Sequence, residues 1–227
     1  MKTTFAFTVI AMPVLLSLGC SRPRLDPAKA IQVQITSTPD KALLTMGGKT
    51  LGPTPRSLTV ASTAELLELD ATMEKAPAVE KRIRFLSMNT AEVTFIFGAD
   101  QSAMARTLGF PRILVFDYGA GVTFELDRAE LKPEFLPLLA RQASLLQKSF
   151  PDIKVFVCGH TDITGNRDHN LALSVDRAKA VAEDLGARGV NRDRLKIQGF
   201  GSDYPVADNG TDQGRALNRR TEVILPQ

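Results

Sequence analysis

Ile153-Lys154-Val155-Phe156-Val157-Cys158-Gly159-His160-Thr161-Asp162 opens the stretch that decides the fold, and Asn170-Leu171-Ala172-Leu173-Ser174-Val175-Asp176-Arg177 closes it. The first part is an apolar, β-branched run ending at Gly159, the mark of a buried strand. Open α/β sheets place their binding crevices at the carboxyl ends of strands, so this strand delivers His160 to Asp162 to a position where a site can form. Asp162 is expected on a loop. From Asn170 the period changes: Leu171, Val175, Ala178, Ala182 and Leu185 recur every three or four residues, which predicts a helix over 170–186 with that apolar stripe against the sheet. Asn170, Ser174 and Arg177 then share a polar stripe beside the packed one. An acid, Asp162, and a base, Arg177, are brought near each other.

Outward from this stretch the pattern alternates between strands and helices. A strand is expected from Ile113, and a helix begins near Lys132-Pro133, with Pro133 and Pro137 confined to its first turns, where missing amide donors cost least. Phe135, Leu138, Leu139, Gln142, Leu145 and Leu146 keep the helical period until Phe150-Pro151. After the 170–186 helix come a strand over 194–200, a long loop, a short helix over 214–218 and a last strand over 221–225. The order βαβαβ(α)β implies a mixed sheet with helices on one face.

The first hundred residues have a different texture. Ile31, Val33 and Ile35 alternate with polar residues, Ala42 to Met46 reads as a second strand, and Gly47-Gly48 permits the positive φ of a hairpin turn. Ser57 to Val60 and Glu65 to Ala71 read as short strands, and Val93, Phe95 and Phe97 alternate before Gly98. Together these predict a small, sandwich-like all-β domain over 31–98. A linker over 99–111 separates it from a second domain over 112–227, and the fold class is α+β.

Composition excludes several functions. The 227 residues are 44% hydrophobic with a net charge of +3, and the basic residues are not gathered on one helix, so a nucleic-acid partner is not indicated. Two cysteines, Cys20 and Cys158, cannot make a disulfide framework. Residues 1–19 read as an export signal: Lys2, an apolar run from Phe5 to Leu18, then Gly19-Cys20. That run is too short, and too interrupted by Pro13, to span a bilayer. The ending Leu16-Ser17-Leu18-Gly19-Cys20 resembles a bacterial lipobox, which implies acylation of Cys20 and, with Ser21 following, an outer-membrane location facing the periplasm. Residues 20–30, with two prolines among charged residues, form the tether.

Gly159-His160-Thr161-Asp162, Gly165, Asn170, Leu173-Ser174 and Arg177-Ala178 closely resemble the OmpA-like (OmpA/MotB) peptidoglycan-binding domain. The resemblance continues through Gly199-Phe200-Gly201, Pro205 to Asn209, Gly214-Arg215-Ala216 and Asn218-Arg219-Arg220. It implies that Asp162 and Arg177 contact the diaminopimelate of peptidoglycan stem peptides, with Asn170, Thr164, Asp127 and Arg219 around the same pocket. Such a ligand carries an ammonium and a carboxylate on one carbon; a guanidinium fork suits the carboxylate, and an aspartate accepts from the ammonium. Ser37-Thr38-Pro39, Gly47-Gly48, Gly52 and Thr54-Pro55 resemble the PEGA family of β modules, which implies a structural or docking role with an envelope protein as partner.

No cofactor, metal or catalytic set is expected. Cys158 stands where the family carries Glu and is expected to be a buried apolar thiol. Cys158, His160, Asp162 and His169 can be drawn as a metal set, but the motif accounts for His160, as a structural residue hydrogen-bonded in its turn, and for Asp162. A wall hydrolase using Asp162 or Glu125 as base lacks a second positioned carboxylate. The expected function is non-covalent anchoring of the outer membrane to the cell wall. The alternative is a stator- or secretion-like envelope complex in which the β module docks a partner.

Overall fold

A computed structural model describes residues 30–74, 76–119 and 123–227. The export signal, Cys20 and the tether up to residue 29 lie outside the described residues, as do Gly121 and Val122.

Eight strands form one sheet, and it joins the two halves of the chain. β1 (Ile31–Thr38), β4 (Arg56–Val60), β7 (Glu80–Ser87) and β8 (Thr90–Ile96) come from the first hundred residues; β9 (Ile113–Gly119), β10 (Val155–His160), β11 (Leu195–Gly199) and β12 (Arg220–Pro226) come from the rest. Their order is β11-β10-β12-β9-β7-β8-β1-β4. The join is the parallel pair β7–β9, in register from Glu80↔Ile113 to Phe85↔Tyr118. A second sheet holds β2 (Leu43–Met46), β3 (Lys49–Pro53), β5 (Leu69–Met73) and the two-residue β6 (Ala76–Pro77), in the order β3-β2-β5-β6.

The segment 99–111, expected as a bare linker, instead contains the helix α2 (Ala103–Leu108), capped by the Ser102 hydroxyl, which accepts from the Ala105 amide at 3.1 Å. Met104 and Ala105 are buried against Ile113, Val115, Cys158 and Ile224. The strand expected over 65–71 is also corrected. Thr63–Glu68 forms helix α1, because Ser62 accepts from the Glu65 amide while the Glu65 carboxylate accepts from the Ala61 amide at 3.0 Å, close to a capping box.

The mixed sheet with long helices on one face is as expected. α3 (Leu136–Ser149) and α4 (Arg167–Ala187) share the main core with Phe116, Tyr118, Val157 and Val223, while the short α2 lies on the opposite side. Tyr118 donates its phenol to Gln142 Oε1 at 2.9 Å, which gives the amide oxygen of this buried polar residue of α3 a partner, while its Nε2 has none among the described residues.

The inner face of α4 differs from the expectation. Leu171 and Val175 are 43% and 39% exposed, whereas Asn170, Ser174 and Arg177 are buried beside Ala178, Ala182 and Leu185. The cause is backbone contact. A Cβ on Gly159 would stand 2.7 Å from the Ser174 carbonyl carbon, and one on Gly199 would stand 2.6 Å from the Val175 nitrogen. Two glycines let the helix lie directly on β10 and β11, and that rolls its polar stripe inward. Ser174 Oγ is satisfied there, donating to the Leu171 carbonyl at 2.7 Å and accepting from the Gly201 amide at 3.0 Å.

Candidate functional site

β10 ends at His160, and the chain then bends through Thr161 and Asp162. The Thr161 amide donates to the Gly201 carbonyl at 2.8 Å, tying the bend to the segment after β11. Asp162 Oδ1 accepts from the Thr164 amide at 2.8 Å and from the Thr164 hydroxyl; Oδ2 accepts from Arg219 Nη1 at 2.5 Å. Burial raises the Asp162 pKa, but the Thr164 bonds and the Arg219 guanidinium outweigh it and hold the carboxyl below its ordinary range. Asn170 sits in the first turns of α4 and donates Nδ2 to the Thr164 carbonyl at 2.8 Å and to the Asp162 carbonyl at 3.4 Å, which fixes the loop. Asn166 starts that helix, its Oδ1 accepting from the Asp168 and His169 amides.

All six residues singled out in the sequence line one open cavity of about 290 Å³: Asp127, Asp162, Thr164, Asn170, Arg177 and Arg219. Asp162 and Arg177, expected to contact the two charges of the ligand, each have a protein partner of their own here. Asp162 pairs with Arg219, while Arg177 donates Nε to the Arg128 carbonyl at 2.9 Å and Nη2 to the Glu125 carbonyl at 3.4 Å, its guanidinium 5.2 Å from the centre of the Phe124 ring. Arg177 is therefore a wall post that holds the loop after β9. Burial lowers its pKa and Arg219 adds to that, with Asp127 and Asp162 opposing. Asp127 reaches the cavity from that loop with φ of 55°, and its Oδ1 lies 2.7 Å from His169 Nε2.

Two contributors were not identified from the sequence. Asn218, fully buried, accepts from the Val206 and Ala207 amides at 2.8 and 3.0 Å and donates to Asn209 Oδ1, which in turn accepts from the Ile163 amide at 3.3 Å. This chain of bonds holds the far side of the Asp162 bend. Its signal was Asn218-Arg219-Arg220, where the asparagine precedes the cavity arginine. His169 is the second; its place in the first turn of α4 was hidden because the helix starts at Arg167, three residues before the expected 170.

His160 is structural, but as part of a strand and not of a turn. It is fully buried, stacks on Phe200 at 5.4 Å, and its Nε2 lies 3.3 Å from Glu222 Oε2, off the alignment of a good hydrogen bond. Burial and the nearby Arg220 lower its pKa. Arg220 is buried and donates Nε to Glu222 Oε1 at 2.7 Å. Cys158 is a free buried thiol whose pKa burial pushes up, reinforced by Glu222. Among the described residues no three His, Cys, Asp or Glu side chains are grouped to hold a metal ion, and no helix is long and apolar enough to cross a membrane.

Fold and site define a mixed α+β domain that presents an open, charged pocket at the carboxyl end of β10. The chain belongs to the OmpA family, whose model matches residues 123–219. It is 44% identical over 107 residues to the peptidoglycan-binding protein ArfA of Mycobacterium tuberculosis, covering 47% of this chain and 32% of that protein. It is 32% identical over 123 residues to the peptidoglycan-associated lipoprotein of Brucella melitensis, covering 54% of this chain and 73% of the relative. Among solved structures, the cell wall anchor of the T6SS from Pseudomonas aeruginosa is 35% identical and superposes with a TM-score of 0.45, covering 49% of this chain and 79% of that one. The chain thus spans about a third of the length of the mycobacterial relative.

Proposed function

We propose that this protein ties the bacterial envelope to the cell wall without a covalent bond, by seating the amino-acid head of a diaminopimelate stem in the pocket around Asp162. One observation carries the reading: two carboxylates and two guanidiniums converge on one open cavity. Arg177 and Arg219 offer donors to a carboxylate, and Asp162 and Asp127 offer acceptors to an ammonium. Charged hydrogen bonds contribute about 1.5–3 kcal/mol each, so a few of them give a millimolar-to-micromolar grip on one stem. A polymer of stems compensates for that weakness by high local concentration. Relatives whose names carry peptidoglycan binding support the ligand class. In this reading an acylated Cys20 holds the chain to the outer membrane, and the β-rich first half is free to meet an envelope partner.

Co-sedimentation with purified sacculi tests the proposal. Wild-type protein pellets with the sacculi and is released by free diaminopimelate, and Asp162→Ala and Arg177→Ala stay in the supernatant with unchanged circular dichroism. Pelleting by both variants at the wild-type level overturns the assignment.

A further inference from the structure

The rim of the pocket carries a contact that the six expected residues do not account for. His169 Nε2 meets Asp127 Oδ1 at 2.7 Å, joining the first turn of α4 to the loop after β9, and both residues line the cavity. An exposed pair of this kind ordinarily contributes little to stability. Its position gives it another use. Both oxygens of Asp162 are already engaged, one by Thr164 and the other by Arg219. Asp127 gives one oxygen to His169 and keeps Oδ2 for an incoming group. Its backbone lies in the left-handed region, φ 55°, which non-glycine residues seldom adopt, and the one side-chain contact among the described residues that holds its carboxylate is His169 Nε2 at 2.7 Å. His169 is itself held, its amide donating to the N-cap Asn166 at 3.3 Å.

Resting on the reading of the pocket given above, we infer that His169 is a positioning residue for ligand capture: it aims the Asp127 carboxylate at the ligand ammonium and makes the grip depend on pH. With a neutral imidazole, Nε2–H donates to Asp127 and leaves its full negative charge to the pocket. With an imidazolium, the same contact becomes an ion pair, and a positive charge stands beside the place the ammonium must take. Capture therefore strengthens as pH rises through the range where imidazoles lose their charge, about pH 5 to 8.

The charged groups around His169 are Asp168 and Arg177 on its own helix, Arg167 paired with Asp203, Asp127, Arg128 and Glu125 on the loop after β9, Asp162 on the bend after β10, and Arg219 at the start of β12. As classes, carboxylates titrate below that window and guanidiniums above it. The chain has two histidines, and the other, His160, is fully buried away from the cavity, its pKa lowered by burial and by Arg220. A step in affinity with pH that disappears in His169→Gln therefore belongs to His169.

Calorimetric titration of the detergent-solubilised full-length protein with meso-diaminopimelate, at constant ionic strength from about pH 5 to about pH 8, tests this. For charges about 6 Å apart at a partly solvated surface, wild-type affinity rises roughly three- to tenfold across the range. His169→Gln, which keeps a donor but cannot titrate, binds with a flat profile near the wild-type value at the alkaline end; His169→Ala is flat and weaker at every pH. A flat wild-type profile, or a step of wild-type size in His169→Gln, overturns the inference while leaving the pocket assignment standing. Absence of wild-type binding to both diaminopimelate and sacculi at every pH overturns the pocket assignment and the inference together.

Discussion

Gly159 and Ser174 meet backbone to backbone: a side chain on the glycine would stand 2.7 Å from the serine carbonyl carbon and nearer still to its oxygen. Neither partner can move alone, because Gly159 lies within β10 and Ser174 within the inner face of α4. The seat of α4, and with it the depth of Asn170 and Arg177, depends on a missing methyl group. Gly159→Ala should cost about 3 kcal/mol, the upper end of overpacking, and should lower affinity for sacculi by displacing the helix. Gly119→Ala, with nothing within 4 Å of the added carbon, is the control and should stay within about 0.5 kcal/mol of wild type in the same urea titration.

Arg82 joins the halves of the chain electrostatically as β7–β9 joins them by backbone. Its guanidinium reaches Glu80 at 2.8 Å, Asp117 at 3.0 Å and Glu222 at 2.6 Å, and both Asp117 and Glu222 are fully buried. Burial alone would raise the Glu222 pKa, but Arg220 and Arg82 hold it well below the carboxylate range. Arg82→Met leaves two buried carboxylates short of a partner and should cost about 3–5 kcal/mol, read from chemical denaturation. For the same reason residues 111–227 expressed alone should not give a stable fold. Arg82 and Arg84 would be gone, and the β7-facing edge of β9 would be bare. A soluble fragment with a cooperative melt like that of the whole chain would refute this.

The sequence and the structure diverge where burial contradicts polarity. Strand β7 reads as Glu80-Lys81-Arg82-Ile83-Arg84-Phe85, too charged for a central strand, and was not anticipated; its charges are neutralised by Asp117 and Glu222 on strands more than thirty residues away, which no local pattern reports. Polar Asn170, Ser174 and Arg177 were placed beside the core for the same reason, whereas the glycines beneath them turn that stripe inward. The cavity was legible through the family resemblance, whose six motif positions all line it. The contacts within the protein were not: Arg219 pairs with Asp162 and Arg177 holds the loop after β9, since the reach of two long guanidiniums depends on where the 206–209 loop and the loop after β9 pass. The Ser62-x-x-Glu65 cap, by contrast, was readable and marks the helix that the strand assignment overlooked.

Asp162 should leave a signature in acid. Its folded pKa lies below the ordinary value of 3.8, so its bonds to Thr164 and Arg219 stabilise the fold above about pH 4 and are lost as pH falls through the folded value. Charged hydrogen bonds contribute about 1.5–3 kcal/mol each, and partial solvation of Arg219 puts this site at the lower end. Asp162→Asn should therefore be less stable than wild type by about 1–2 kcal/mol at neutral pH, with the difference shrinking as pH falls below about 4. A constant difference from neutral to acid pH would show that the loss is packing and not charge.

Cys158 offers a readout that separates the native core from local opening. Its sulfur is buried among Met104, Val115 and Ile224, and its pKa is pushed up by burial and then by Glu222, so the thiolate is scarce and shielded at neutral pH. In a Cys20→Ser background it is the one remaining cysteine of the chain. A maleimide should leave it unmodified in native buffer over hours and label it completely in denaturing urea, as followed by mass spectrometry. Gly159→Ala should label faster than wild type, because lifting α4 from β10 frees the strand that carries the thiol. Rapid labelling of the wild type would mean that the face of β10 under α2 is not sealed.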